Sequence, residues 1–521
     1  MKYIKNLCDG DHWYFMERYM KKFCETKKFV THNLSFDWKV FYIYDINLNA
    51  VFDTMLAYGV TERYKQANFE YGLKDLTHNL FGWDMIELSD MLVSGDWGKK
   101  GSSNIAFWDL SYELVRNYAP TDADMTLTLY NYVKRIKLLE SFKAEEVFNI
   151  ELTYAKVIAY SEFYGYHIDI DHLPELMQTI EDGKTKNMQK LFEIAGEEFN
   201  PNSTKDLTRI MYDQLGIPDV SHKRSTDKNA LKELADMTDA EGNPLYPFAS
   251  YLKSYRDSEG IFKNFLKRKD EFLTPDGFIF PHVFTFGTNT GRVSVKEPNY
   301  QSYNDAIKKF VQPRPGFKMW DSDFSQIEYR VLCSMAHEPA LIESFADPDM
   351  DYHTYQAARM FGVPYGAVTK PMRQQCKGIN FGLPYGMGDA SLGARIFGAR
   401  NATNTQKAAR LRELYFEGQD NIRNFFDTVR DDGVRNGYTR TLFGRLRFYH
   451  KGSFSEGAIR RQAGNHVIQG TAADLYKLAC CRVFEMMIAK GWLGKVLLNA
   501  FIHDEILGEV SEEINFYEFV E

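Results

Sequence analysis

Three segments carry the residue types and spacings that could do chemistry. In MWDSDFSQIEYR (319–330), Asp323 ends an apolar strand and precedes a polar turn into a helix that begins near Gln326. A carboxylate at that end of a strand can project into an open cleft, although the position equally suits a strand–helix capping acid. In FIHDEIL (501–507) a hairpin tip presents His503, Asp504 and Glu505. Adjacent acids at a tight tip repel one another unless a cation or solvent relieves them, so the tip is either a cation site or a solvated turn. In PMRQQCKGINFGLPYG (371–386), Arg373, Lys377, Phe381 and Tyr385 recur every four residues and share one helical stripe. Its cations could hold a triphosphate and its aromatic end could stack on a base and sugar. The alternative is an amphipathic surface helix with a cation–π contact. Gly378, Gly382 and Gly386 each weaken a helix by about 1 kcal/mol, which favours something large approaching the backbone there.

Bringing acids so distant in sequence together takes a large scaffold. At about 150 residues per domain, 521 residues predict three or four domains. A chain that is 44% hydrophobic and 26% charged is globular, not disordered, collagenous or coiled-coil. Its formal net charge of −8 excludes a blanket polycation, so a nucleic acid would have to bind in local basic grooves. The most basic stretch, 435–461, sets seven Lys/Arg against the single acid Glu456, with Tyr438, Phe443, Phe448 and Tyr449 interleaved. It reads as a solvated face or a nucleic-acid surface. None of the six cysteines forms a CxxC, and the Cys480–Cys481 pair reads as helix core packing in a reducing compartment. The start MKYIKNLCDGDHWYF lacks an apolar signal core, and no apolar run is long enough for a membrane span. The pattern is α/β over 1–145, mostly helical from Ala144 to about Leu273 and strand-like over 276–335. It is helical again over 337–434, and mixed from Gly437 to a closing hairpin at 496–510.

Together these segments resemble the palm and fingers of family A DNA polymerases, the polymerase I type that includes many phage replicases. The family's DYSQIELR motif is matched by Asp323 to Arg330, its Arg/Lys/aromatic motif by Arg373, Lys377, Phe381, Gly382, Tyr385 and Gly386, and its HDE motif by His503, Asp504 and Glu505. TNTGRVSVKEPNYQ, DYHTYQAARMFG and RRQAGNHVIQGTAAD extend the likeness in family order, and FNPNSTKDL and STDKNALKELA resemble the thumb. The resemblance implies a right-hand polymerase, α/β and multidomain, behind an incomplete ribonuclease H-like exonuclease domain. The expected parts are a partial exonuclease-like domain (1–143), a thumb with its connecting helix (144–275), palm (276–336), fingers (337–434) and palm again (435–521). It implies two Mg²⁺ ions, replaceable by Mn²⁺, on Asp323, Asp504 and the Phe324 carbonyl, with Glu505 beside them. Arg373, Lys377 and His353 would contact the triphosphate. Gln326 and Glu328 would lie under the incoming sugar, Glu328 excluding a 2′-OH, and Tyr385 and Phe381 at the insertion site. Arg292, Asn299, Gln301, Arg461, Asn465, Gln469 and His503 would line the minor groove, where degenerate acceptors test pair geometry without reading sequence. The basic stretch 435–461 would join that duplex surface. Partners would be primer–template DNA and dNTPs, with a processivity factor as a further candidate and no membrane. The setting would be cytoplasmic, in a bacterial or phage-infected cell. A catalytically idle DNA-binding homologue is the rival reading, and an RNA polymerase of related shape is disfavoured by Glu328.

The N-terminal region resembles the same family's proofreading domain at THNLSFD (Asn33, Asp37) and YAPTD (Tyr118, Asp122), with Asp53 in VFDT fitting the same fold. That site needs four carboxylates, the first two from a D-x-E pair on an opening strand. Before Asp37 the only nearby acid pair is Asp9 and Asp11, which follows no apolar strand and has the wrong spacing and type. The expectation is that this chain does not proofread, unless a separate chain or upstream sequence supplies the strand. Three departures stand out: Phe324 replaces a tyrosine, Asp321 lies two residues before Asp323 and is expected outside the metal's reach, and Pro384 is expected to kink the end of the motif helix.

Overall fold

In a computed structural model of the chain, the described residues are 16–520 apart from 62–70, 86–111, 221–223, 238, 240–242, 304, 348, 384–385, 398–399, 451 and 453. Strands β1 (Phe29–Thr31) and β2 (Ala50–Asp53) pair in parallel and lead into helices α1 (Leu34–Tyr42) and α2 (Thr54–Thr61). After α3 (Tyr112–Arg135) comes α4 (Glu145–Tyr164), whose apolar residues recur at helical spacing and whose first turn holds Glu145 and Glu146. It stops at Gly165, which has φ +58°, and a β-carbon there would strike the carbonyl oxygen of Ile279. The chain can then start β3 (Tyr166–Ile168), which interrupts the mostly helical stretch, hard against the next sheet.

Helices α5 (Leu173–Ala195) and α6 (Pro247–Asn264) pack together in the thumb-like region over a core of Leu191, Leu207, Ile210, Leu231, Phe248 and Leu252. Strands β4 (Phe278–Ile279) and β7 (Val311–Gln312) flank β3, while β5 (His282–Phe284) pairs with β6 (Ser294–Lys296). Strand β8 (Phe317–Asp323) ends the strand-rich stretch earlier than the expected 335, because Ile327–Ala336 is helix α7. Helices α8 (Tyr352–Phe361), α9 (Lys370–Gly382), α10 (Asp389–Phe397), α11 (Ala402–Phe416) and α12 (Asp420–Asn436) follow. With α7 they enclose a separate core that includes Tyr352, Tyr415 and Phe426.

After the antiparallel pair β9 (Tyr438–Arg440) and β10 (Leu446–Phe448), the 34-residue helix α13 (Glu456–Ala489) runs about 50 Å. It serves three clusters: Ile459 and Ala463 pack with Tyr449, Ile468 and Ala472 join the fingers-side cluster, and Tyr476, Cys480 and Phe484 join the main core. Cys480 and Cys481 are buried free thiols, in keeping with core packing. The final hairpin, β11 (Val496–Ile502) and β12 (Glu505–Ser511), pairs with β8 in the order β11-β12-β8. The main core is continuous from Cys24 to Val510, and Trp38 of α1 meets Phe484 of α13 edge-on at 6.1 Å. No described helix is long and apolar enough to cross a membrane.

Candidate functional site

Antiparallel pairing of β12 with β8 sets Glu505 opposite Asp323, so the hairpin tip lies beside the end of the strand. The Phe324 amide donates to the Asp504 carbonyl at 3.2 Å, tying the two together. Left-handed backbone at His503 and Gln326 (φ +58° in both) makes the sharp turns on either side. The tip is held from behind by three further side chains. Tyr476 donates to the Glu505 carbonyl at 2.9 Å, and the Phe501 amide donates to the Tyr300 hydroxyl at 3.1 Å. Gln301 donates to the carbonyls of Phe501 (3.0 Å) and Val293 (3.4 Å), so its amide supports the hairpin strand.

The Asp323 carboxyl is raised above its ordinary pKa by burial and then by the Asp504 charge, with Asp321 adding to the repulsion. Asp321 is thus within electrostatic reach of Asp323, because alternate residues of one strand share a face. Two hard-oxygen carboxylates in mutual repulsion fit a divalent cation such as Mg²⁺, although among the described residues no three His, Cys, Asp or Glu form a metal-holding cluster. Arg292 stands beside them, donating to Glu328 at 2.6 Å and to Asp504 at 3.2 Å. Gln469 adds a 3.3 Å bond to the same Glu328 oxygen. Burial pushes the Glu328 carboxyl up while Arg292 and Gln469 oppose it. The buried Nε–H of Arg292 has no acceptor among the described residues.

A second group gathers on the fingers side. Arg373 donates to both oxygens of Asp351 (2.8 and 2.9 Å), and Asp351 caps α8 through the Thr354 amide at 2.8 Å. Arg373 and Thr354 together draw the Asp351 carboxyl down to about 2, against burial. His353 is buried, and burial lowers its imidazole to about 4, so it is neutral near pH 7. The Asn380 amide donates to its Nδ1 at 2.8 Å, which puts the ring proton on Nε2. Lys377 is exposed on the face of α9 that also carries Arg373. The Gln326 amide bonds the Met350 carbonyl (3.4 Å) and the Tyr352 amide (3.0 Å), latching the start of α8.

Helix α9 ends at Gly382 with Leu383 as its C-cap; Pro384 and Tyr385, where a kink and an insertion-site aromatic are expected, lie outside the described residues. The glycines there are crowded by this chain's own side chains. A β-carbon on Gly382 would lie 3.0 Å from Met387 Sδ, and one on Gly386 would lie 2.9 Å from Arg461 Cγ.

On α13, Arg461, Asn465 and Gln469 fall four residues apart and form one stripe leading to Glu328. Asn299 and His503 are exposed, Asn299 capping the turn at Tyr300–Ser302. The basic stretch 435–461 is a different matter. Arg445 is buried between Glu151 and Asp474, and Arg447 is buried against Gln462. Arg440 donates to the carbonyls of Phe142 and Lys143, while Arg435 and Arg460 pair with nearby acids. Most of its charge is committed internally, so it is not a continuous duplex-facing surface. A signal existed: Asp474 and Lys477, three apart in the apolar run GTAADLYKLACC, need buried partners.

In the N-terminal unit Asp53 is fully buried. It accepts from the amides of Leu34 (2.6 Å) and Leu56 (2.8 Å) and from the Thr31 hydroxyl (2.9 Å), capping two helices. Burial raises its carboxyl to about 6; burial and the Asp53 charge raise Asp37 to about 6 as well. Asn33 is left-handed (φ +74°) and accepts from Ser35 at 3.0 Å. Tyr118 and Asp122 sit on α3, with the Lys74 ammonium 5.1 Å from the Tyr118 ring centre. Asp9 and Asp11 lie outside the described residues.

A family model described as DNA polymerase family A matches residues 170–517, and one described as 3′-5′ exonuclease matches residues 10–136. The DNA polymerase I of Chloroflexus aurantiacus is 29% identical over 493 residues, covering 92% of this chain and 50% of that protein. The thermostable DNA polymerase I of Thermus aquaticus is 30% identical over 380 residues, covering 70% and 44%. Among solved structures, the POL domain of Pol1 from M. smegmatis, in complex with DNA primer-template and dNTP, is similar with a TM-score of 0.73 and 25% identity. That match covers 93% of this chain and 80% of the other. The chain spans about half the length of the curated relatives it matches.

Proposed function

Since this chain belongs to DNA polymerase family A, we propose that it is a template-directed DNA polymerase that adds deoxynucleotides to a primer 3′-hydroxyl by two-metal phosphoryl transfer. The observation that carries the reading is the register of β8 and β12, which sets Asp323 and the Asp504–Glu505 tip side by side. Asp323, Asp504 and the Phe324 carbonyl would hold Mg²⁺, which lowers the pKa of the primer hydroxyl and neutralises charge on the triphosphate. Arg292, anchored to Glu328 and Asp504, would stand at the primer–template minor groove, and the Arg461, Asn465 and Gln469 stripe would track the same groove. Glu328, fixed by Arg292 and Gln469, closes the space under C2′ of the incoming sugar. Arg373 would exchange Asp351 for triphosphate oxygens, Lys377 adds charge from the same helix face, and neutral His353 donates through Nε2. A primed template with Mg²⁺ and dNTPs tests this: extension by the template-specified nucleotide is expected. Duplex binding without extension would favour the idle homologue.

The finer part of the proposal is that this polypeptide does not proofread. Asp53 is engaged in helix capping, which leaves Asp37 and Asp122 of the resembling motifs, and two carboxylates hold metal weakly and fail to activate water. The chain is expected to leave a 3′-mismatched primer intact when incubated with Mg²⁺ and no nucleotides. Efficient shortening that is lost in Asp122→Ala would refute this.

A further inference from the structure

A buried quartet of charges lies directly beneath the turn that carries Arg292. Glu151 comes from α4, Arg445 from the loop between β9 and β10, and Asp474 and Lys477 from α13; all four side chains are at most 4% exposed. Arg445 donates to Asp474 at 2.7 Å and also to Glu151. Lys477 donates to Glu151 at 2.6 Å and to the Thr285 hydroxyl at 2.7 Å, and the Thr441 hydroxyl donates to Asp474 at 2.7 Å. Two cations and two anions balance, but a buried ion cluster of this kind is often no more stabilising than apolar side chains of the same volume. What it supplies is direction, since each group fixes the next through oriented hydrogen bonds.

That direction is transmitted to the turn over Thr288–Arg292. Gly291 has φ +80°, and a β-carbon on it would lie 2.5 Å from Arg445 Nε, so the guanidinium rests against the bare backbone one residue before Arg292. A β-carbon on Gly470 of α13 would lie 2.7 Å from Thr441 Cγ2 and 3.3 Å from the Thr290 carbonyl, which clamps the other side of the turn. The Thr288 hydroxyl closes it by donating to the Arg292 carbonyl at 2.7 Å. Lys477 and Arg292 also line one small cavity with Tyr476 and His503, between the quartet and the hairpin tip.

We propose that Glu151, Arg445, Asp474 and Lys477 are positioning residues that fix the Thr288–Arg292 turn and so set the reach of Arg292 to Glu328 and Asp504. The activity arm of the test rests on the polymerase reading; the exchange arm does not. Misplacing a group near the reacting atoms by a fraction of an ångström lowers rate strongly, so Glu151→Gln should reduce kcat for extension about tenfold. Its primer–template Kd should change less than about twofold. In an Arg292→Ala background the same substitution should cost less than about twofold, because its route of action is gone. An equal cost in both backgrounds would overturn the proposal. Hydrogen exchange across 288–293 should be faster in Glu151→Gln and in the milder Thr441→Val than in the unmodified chain, with the thumb core unchanged; identical exchange in the turn would also overturn it. If Glu151→Gln does not fold, Thr441→Val carries both measurements, with kcat expected to fall about threefold. Should the unmodified chain extend no primer, the polymerase reading fails, and exchange in the turn still decides the positioning role.

Discussion

Asp53 and Asp323 each end a short strand, yet the two carboxylates have opposite surroundings. At Asp53 the chain passes straight into α2, and the carboxyl is enclosed by two helix amides and a hydroxyl. At Asp323 a turn through Phe324 and Gln326 intervenes before α7, and the carboxyl stays at the surface facing a second aspartate. An acid whose lone pairs are filled by backbone donors holds a fold together; an acid left facing another acid can accept a cation. Residue type and strand position are the same in both, so the donors nearby decide the role.

That contrast can be broken or sharpened by substitution. The largest effect is expected at the palm corner, where Asp323→Ala or Asp504→Ala should lower primer extension more than about a hundredfold while duplex binding by gel shift is nearly unchanged. Retained extension above that level would place the cation elsewhere. Next comes Asp53→Ala, which strands the Leu34 and Leu56 amides and the Thr31 hydroxyl in the core. It should cost about 3 kcal/mol in denaturant unfolding of the N-terminal unit, and a cost near zero would mean that the caps are dispensable. Glu328→Ala removes a group held by Arg292 and Gln469 without touching the two aspartates. Its ratio of ribonucleotide to deoxynucleotide kcat/KM should rise about tenfold.

The smallest effect concerns Asp37. Its carboxyl titrates near 6 in the fold, against 3.8 for an unperturbed aspartate. A raised folded pKa gives stability that is fully present below about 4 and is lost as pH rises through about 6. Asp37→Asn should therefore unfold at higher denaturant than the unmodified chain at pH 7, by about 1 kcal/mol, and match it at pH 4. The opposite order at the two pH values would show that the Asp37 charge is stabilised, as a metal-loaded site would require.

Much of this architecture was legible in the sequence. The α4 periodicity, the strand ending at Asp323 and the hairpin around Asp504 follow from local patterning, and the structure contains each of them. What stayed hidden depends on partners distant in sequence. Arg445 read as part of a solvated or nucleic-acid-facing stretch because its burial is set by Glu151, some three hundred residues away in the chain. The basic stretch 435–461 misled for the same reason: a sum of charges records sign but not direction. Tyr476 carries no motif that marks it as a support of the hairpin, since a tyrosine in an apolar run looks like any other core residue.

Strand β8 ends at residue 323 and its partner β12 begins at residue 505. As the chain leaves the ribosome, the thumb-like and fingers-side clusters, built from neighbouring segments, can collapse as soon as they emerge. The edge bearing Asp323 must wait for the whole fingers-side cluster and α13, with its hydrogen-bonding groups unpaired until β12 arrives. The part of the molecule that brings the two acids together therefore takes shape later than either cluster, and for that interval it is exposed to pairing with a stray strand from another nascent chain.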